Sequence, residues 1–186
     1  MDIAINPAAP SPEHLAQLDA ARTASKKIRR VIAVANFDGW AIAIFAAITL
    51  VFSLTSPSTI ILALGMGYIA YRELSSAAAL KRLEPAACQH LAQNQLIFSG
   101  LLILYFAWCL IQSLTSPPDP EALELGVTPQ QVHAASAALY ATLIFASILF
   151  QGGTAWYYHS RAKIVAQYVT STPQWILDYQ RGGGTL

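Results

Sequence analysis

Apolar residues fall into four long runs along the chain, separated by short polar connections. Val31 to Leu54 contains one charge, Asp38. Pro57 to Leu80 is apolar as far as Tyr71 and then meets Arg72 and Glu73. Leu96 to Leu114 and Ala134 to Tyr158 carry no charge. About 20 apolar residues in a helix cross the hydrocarbon core of a bilayer. The pattern therefore predicts four transmembrane helices, over about 31–54, 57–80, 96–114 and 134–158. Helix start signals agree with these limits. Ser56-Pro57 and Thr128-Pro129 each place proline at the first helical position behind a capping residue, and Glu84-Pro85 starts the third helix ahead of the membrane. Asp119-Pro120-Glu121 opens a short helix in the last loop, which Gly126 ends. Short links between the first three spans force antiparallel neighbours.

Two further stretches flank the spans. Ser11 to Arg30 reads as a helix opened by Ser11-Pro12-Glu13 and continuing into the first span. After the fourth span, Ile164, Val165, Tyr168 and Val169 form a narrow apolar stripe, and Trp175, Ile176 and Tyr179 follow Pro173. This tail is expected to lie on the membrane surface or to dock on the bundle. The expected division is a cytoplasmic N-terminal segment over 1–30, a transmembrane bundle over 31–158 and a cytoplasmic or interfacial tail over 159–186.

Composition supports lipid as the solvent. Charged residues make up 11% of the chain and hydrophobic ones 55%, where a soluble domain carries about 25% charged residues. A net charge of +1 gives no global reason to expect a nucleic-acid partner. Arg22, Lys26, Lys27, Arg29 and Arg30 precede span one, Lys81 and Arg82 follow span two, and Arg161, Lys163 and Arg181 follow span four. The opposite loops contain no Lys or Arg, and the longer one carries Asp119, Glu121 and Glu124. By the positive-inside rule both termini are then cytoplasmic. The expected fold is an all-α membrane protein, a four-transmembrane-helix up-down bundle of a bacterial inner membrane, with the bilayer as its first partner.

Charges within a span are costly and face the bundle interior or water. Asp38 lies eight residues past Arg30, Arg72 nine before Lys81 and Gln151 ten before Arg161. At 1.5 Å per residue these three sit at one level, roughly 12–15 Å from the basic edge. Asp38, Arg72, Glu73 and Gln151 thus define an intramembrane polar layer, and an Asp38–Arg72 ion pair between neighbouring helices is expected. Adjacent helical positions point about 100° apart, so Arg72 and Glu73 cannot face the same neighbour. One acid is left imperfectly matched. The same layer also fits a purely structural pair, or an Arg72 that snorkels to the headgroups.

Small residues recur at helix-packing spacing: Ala35, Gly39, Ala43 and Ala47 in span one, Gly65 and Gly67 in span two, and Ala134, Ala138, Thr142 and Ala146 in span four. Such ladders serve contacts within a bundle or between protomers. Trp156, Tyr157, Tyr158 and Trp175 read as interface aromatics. Ser53-Leu-Thr-Ser-Pro57 recurs as Ser113-Leu-Thr-Ser-Pro117 at the outer ends of two spans, either a trace of a duplicated hairpin or chance.

Several chemistries lack their residues. His14 and His90 lie outside the spans and His133 and His159 at opposite ends of one, so no pair can face across a haem. Glu84, Cys88 and His90 are too loose for a metal site. No nucleophile motif is present. The sequence therefore points to no cofactor, no metal and no enzyme. The leading expectation is a structural or accessory subunit, assembling with itself as a homo-oligomer or with a larger membrane-protein partner. A small channel or transporter using the polar layer is the alternative, and an intramembrane enzyme on lipid or quinone near Tyr157 to His159 is the third.

Overall fold

The structure, a computed structural model, describes residues 11–53, 57–117 and 126–184. Five helices account for nearly all of them: α1 (Pro12–Phe52), α2 (Pro57–Lys81), α3 (Ala86–Thr115), α4 (Pro129–Ser171) and α5 (Gln174–Arg181). The expected short helix at Asp119–Glu121 and the capping residue Ser56 lie outside the described residues, as does the middle of the first repeat copy.

Local chemistry sets the ends. The Ser11 side chain accepts from the His14 amide at 3.2 Å, with Pro12 in the first turn. Thr128 and Gln131 form a reciprocal capping box at the start of α4, which also opens on proline. Between α2 and α3, the Glu84 amide donates to the Ala79 carbonyl and the Leu83 amide to that of Leu80. This is a Schellman closure. Its left-handed position is filled by Leu83 at φ 60° rather than by glycine. The side chain of Leu83 is buried in the core, which offsets the backbone cost of about 1–2 kcal/mol.

The N-terminal helix and span one form one unbroken helix of 41 residues, and span four and the tail stripe form another of 43. Each is about 60 Å long, twice the thickness of a hydrocarbon core. Among the described residues three helices, α1, α3 and α4, are long and apolar enough to cross a membrane. The outward surface suits lipid. Phe37 and Trp156 are each 74% exposed, and Trp40, Phe45, Leu104, Phe145 and Phe150 also point outward. Such a surface exceeds what a water-soluble monomer tolerates.

Helix α1 packs along α2, α2 on α3 and α3 along α4, while α1 and α4 touch over a shorter stretch. Two cores result. One joins all five helices: Ile28, Val31 and Ala35 of α1, Ala77 and Leu80 of α2, Cys88 and Leu91 of α3, Tyr158 and Val165 of α4, and Leu177 of α5. The other holds Ile42, Ala46, Leu62, Met66, Ile69 and Phe98, from α1, α2 and α3 only. At that end α4 packs on α3, where Nδ1 of His133 meets the Ser113 carbonyl at 2.9 Å. No residue of α4 before Ser147 is buried. Its hydroxyls bond back to their own helix, Thr142 to Ala138 and Ser147 to Leu143, each at 2.7 Å. That satisfies them without a neighbour.

Candidate functional site: a buried carboxyl and carboxamide cluster

Close approach of α1 and α2 builds the site. A methyl group added at Gly39 would stand 2.8 Å from the Leu74 side chain. No other residue type lets the two helices come so near. Asp38, the preceding residue, and Glu73, the residue before Leu74, are thereby brought to the centre of the bundle.

Glu73 has no solvent exposure. Its Oε2 accepts from Asn94 Nδ2 at 2.6 Å and its Oε1 from Gln95 Nε2 at 3.1 Å. The same Gln95 nitrogen reaches Asp38 Oδ2 at 3.4 Å. Tyr158 Oη donates to that oxygen at 3.2 Å. Asn94 Nδ2 also donates to the Ile69 carbonyl at 3.1 Å. Four helices thus contribute one cluster: Asp38 from α1, Glu73 from α2, Asn94 and Gln95 from α3, and Tyr158 from α4. Every hydrogen on the two carboxamide nitrogens that these bonds use is directed at oxygen. The opposite atoms, Asn94 Oδ1 and Gln95 Oε1, are buried with no hydrogen-bond partner. An unpaired buried acceptor costs about 1–3 kcal/mol.

The expected Asp38–Arg72 ion pair is not formed. The ion pairs among the described residues are Arg82–Glu84 at 2.8 Å and Arg181–Asp178 at 3.7 Å. Rotation about the α2 axis decides which of two adjacent residues enters the bundle. Glu73 does, because α3 offers it two donors. Arg72 is turned away and half-buried. Its long stem can carry the charge toward a headgroup. Gln151 is half-buried and takes no part in the hydrogen bonds of the cluster. The amide at this level comes from Gln95 instead.

Tyr158 also departs from its reading as an interface aromatic. It is fully buried, whereas Trp156 is outward and Tyr157 packs beneath Arg161, whose guanidinium carbon is 5.0 Å from the ring centre. Trp175 is 43% exposed but tied to α1. It donates to Gln17 Oε1 at 3.3 Å and meets the His14 ring edge-on at 5.5 Å.

The small residues divide by face. Ala35 and Gly39 are buried between helices, Ala43 packs partly against the second core, and Ala47 is exposed. Gly65 lies where an added methyl would meet Leu101 at 2.9 Å, while Gly67 has nothing within 4 Å. In α4, Ala134, Ala138 and Thr142 are exposed and Ala146 half-buried.

Asn94 and Gln95 were missed because they are uncharged and just precede the apolar run beginning at Leu96. Hairpin symmetry would have found them. Glu73 lies ten residues before Leu83 and Asn94 eleven after it, so antiparallel helices joined there bring the two level. Outside the cluster, Cys88 is buried and its thiol is pushed up to about 11 by burial. No group of three His, Cys, Asp or Glu residues suited to a metal ion occurs among the described residues. No family model, no curated protein and no solved structure matches the chain.

Proposed function

We propose that this chain is a four-span integral membrane protein, both ends cytoplasmic, of a bacterial inner membrane, and that it handles protons or small monovalent cations at the Asp38–Glu73 cluster. One observation carries the reading. A single amide nitrogen of Gln95 reaches the carboxylates of both Asp38 and Glu73, and among the described residues neither forms an ion pair with a cationic side chain. Two negative charges in one water-poor pocket repel, and an uncompensated buried charge is costly. The compensating positive charge must then come from a proton or a small cation. The unpartnered oxygens of Asn94 and Gln95 supply acceptors beside the site. A small channel or transporter uses such a group as a stopping point within the membrane.

The test is flux through vesicles reconstituted with the full chain, read with a pH dye and with a sodium or potassium dye under an imposed potential. Glu73→Gln keeps the shape and one acceptor oxygen, and should abolish flux while the protein still expresses and folds. Asp38→Asn should lower flux at least tenfold. Wild-type flux in both variants would remove the cluster from any pathway.

A second reading, a subunit that assembles with another copy or a larger membrane protein, is favoured by the α4 ladder. Ala134, Ala138 and Thr142 point away from the bundle. Small residues facing outward let another helix approach closely. Gentle extraction followed by native mass measurement tests this reading. A monomer without partners would count against it.

A further inference from the structure

The seam between α3 and α4 holds a second site, apart from the carboxyl cluster. A groove of about 440 Å³ runs along it. The two helices are antiparallel: His133 meets Ser113 at one end, and Gln95 and Tyr158 reach the same Asp38 oxygen toward the other. Gln89 and His159 therefore mark one end of the groove, and Leu96 and Gly152 the other. Each wall spans seven residues, roughly 10 Å of helix. The buried side chains of Ala92 and Ala155 are small and form the floor. A methyl group added at Gly152 would have nothing within 4 Å, so the groove is open there. Gln93 and the outward indole of Trp156 line its middle.

Polarity along the groove follows the membrane. Gln89 precedes the apolar run of α3 that begins at Leu96, and His159 follows the run of α4 that ends at Tyr158. The polar end thus lies at headgroup level and the Leu96–Gly152 end within hydrocarbon. A bound molecule needs a polar head and an apolar tail in that order. Gln89, Gln93 and His159 are exposed and make no side-chain hydrogen bond among the described residues. Each can donate an N–H. No Lys, Arg, Asp or Glu among the described residues lines the groove, so nothing there neutralises a charged headgroup. Trp156 offers an aromatic face on which a flat ring stacks with an offset. A seam between two packed helices takes one tail abreast. We infer that this groove binds a quinone, an uncharged ring lipid with carbonyl acceptors and a single tail. The ring lies on Trp156, its carbonyl oxygens accept from Gln89, Gln93 and His159, and the tail leaves past Leu96 and Gly152. None of these residues belongs to the carboxyl cluster, so quinone binding and ion flux fail independently.

The experiment is native mass spectrometry of the full chain after equilibration with decylubiquinone in micelles that also contain phosphatidylethanolamine. Wild type should retain one decylubiquinone in preference to the phospholipid. Gly152→Leu fills the groove from open space and should lower that retention at least tenfold. Gly153→Leu adds the same side chain outside the groove, again with nothing within 4 Å, and should keep retention within twofold. Gln89→Leu with Gln93→Leu, at exposed positions, removes two donors and should lower retention at least fivefold. Equal losses in the two glycine variants would reduce the effect to a general disturbance of α4 and overturn the site. Unchanged retention in Gly152→Leu or in the glutamine pair would overturn it as well, as would a wild type that retains no quinone. Retention of phosphatidylethanolamine instead, lost in Gly152→Leu, would show a phospholipid groove and overturn the quinone assignment.

Discussion

A carboxyl group removed from water needs donors, and Glu73 takes one from Asn94 and one from Gln95. Asn94→Ala deletes the shorter bond and is expected to cost about 2 kcal/mol, in the range of a hydrogen bond to a charged partner. Equilibrium unfolding in detergent micelles measures this. A loss of a few tenths would mean that water replaces Asn94 readily. Cys88 allows a second residue-scale test. With its thiol pushed up to about 11 by burial, it holds little thiolate at pH 9, where an ordinary thiol is about half ionised. In a Cys109→Ala background, alkylation at pH 9 should therefore run about fiftyfold slower than that of a model thiol, and denaturant should restore the normal rate. At this scale the sequence revealed the two acids, because an acid within an apolar run is conspicuous. Asp38 and Glu73 were legible for that reason. Asn94, Gln95 and Tyr158 were not, since uncharged polar residues near a span boundary look the same whether they face lipid headgroups or a buried acid. Nor could sequence decide between Arg72 and Glu73, which differ only by one step around the helix.

Among the elements, helix starts were the most legible feature, since Pro12, Pro57, Pro85 and Pro129 mark them and the chain follows. The faces of the helices were less so. An Ala or Gly ladder reads alike whether it meets a neighbour or lipid. Gly39 and Gly67 make that difference measurable. Gly39→Ala should destabilise by about 1–3 kcal/mol through overlap with Leu74. Gly67→Ala, in open space, should be neutral or stabilise by up to about 1 kcal/mol through helix propensity. Matched unfolding curves would check the pair, and equal losses would argue that Gly67 is covered by something outside the chain. The tail gives a second element-scale prediction. In α5 both Ile176 and Leu177 are buried, and the Tyr168 hydroxyl donates to Gln180 at 2.8 Å. Leu177→Asp places an unpaired charge in that contact. Undocking should then speed tryptic cleavage after Arg181 more than tenfold while cleavage within α2 and α3 stays slow. Uniform acceleration would instead mean that α5 holds the whole bundle together.

At the scale of the whole molecule, the number of crossings fixes where the ends lie. Composition singles out α1, α3 and α4 as long and apolar enough to cross. Three crossings would put the two ends on opposite sides, and four put them on the same side. Helix α2 decides between these. Its 25 residues extend about 37 Å, enough for a hydrocarbon core. Its apolarity is lowered by Arg72 and Glu73, of which Glu73 is satisfied inside the bundle by Asn94 and Gln95. Helix α2 also packs on α3 at two levels, with Gly65 against Leu101 and with Leu80 in the same core cluster as Leu91. This packing against α3 is what supports the proposal that α2 crosses as well. The proposed four-span topology therefore predicts that cysteines introduced at Ala20 and Gly183, in a chain lacking Cys88 and Cys109, react with an impermeant maleimide only after the membrane is opened. A cysteine at Ser116 should react from outside in intact cells. Labelling of Gly183→Cys from outside, with Ala20→Cys still protected, would mean three crossings. The carboxyl cluster would then lose its membrane setting on the α2 side, and Glu73 would have to be explained as part of a water-filled vestibule.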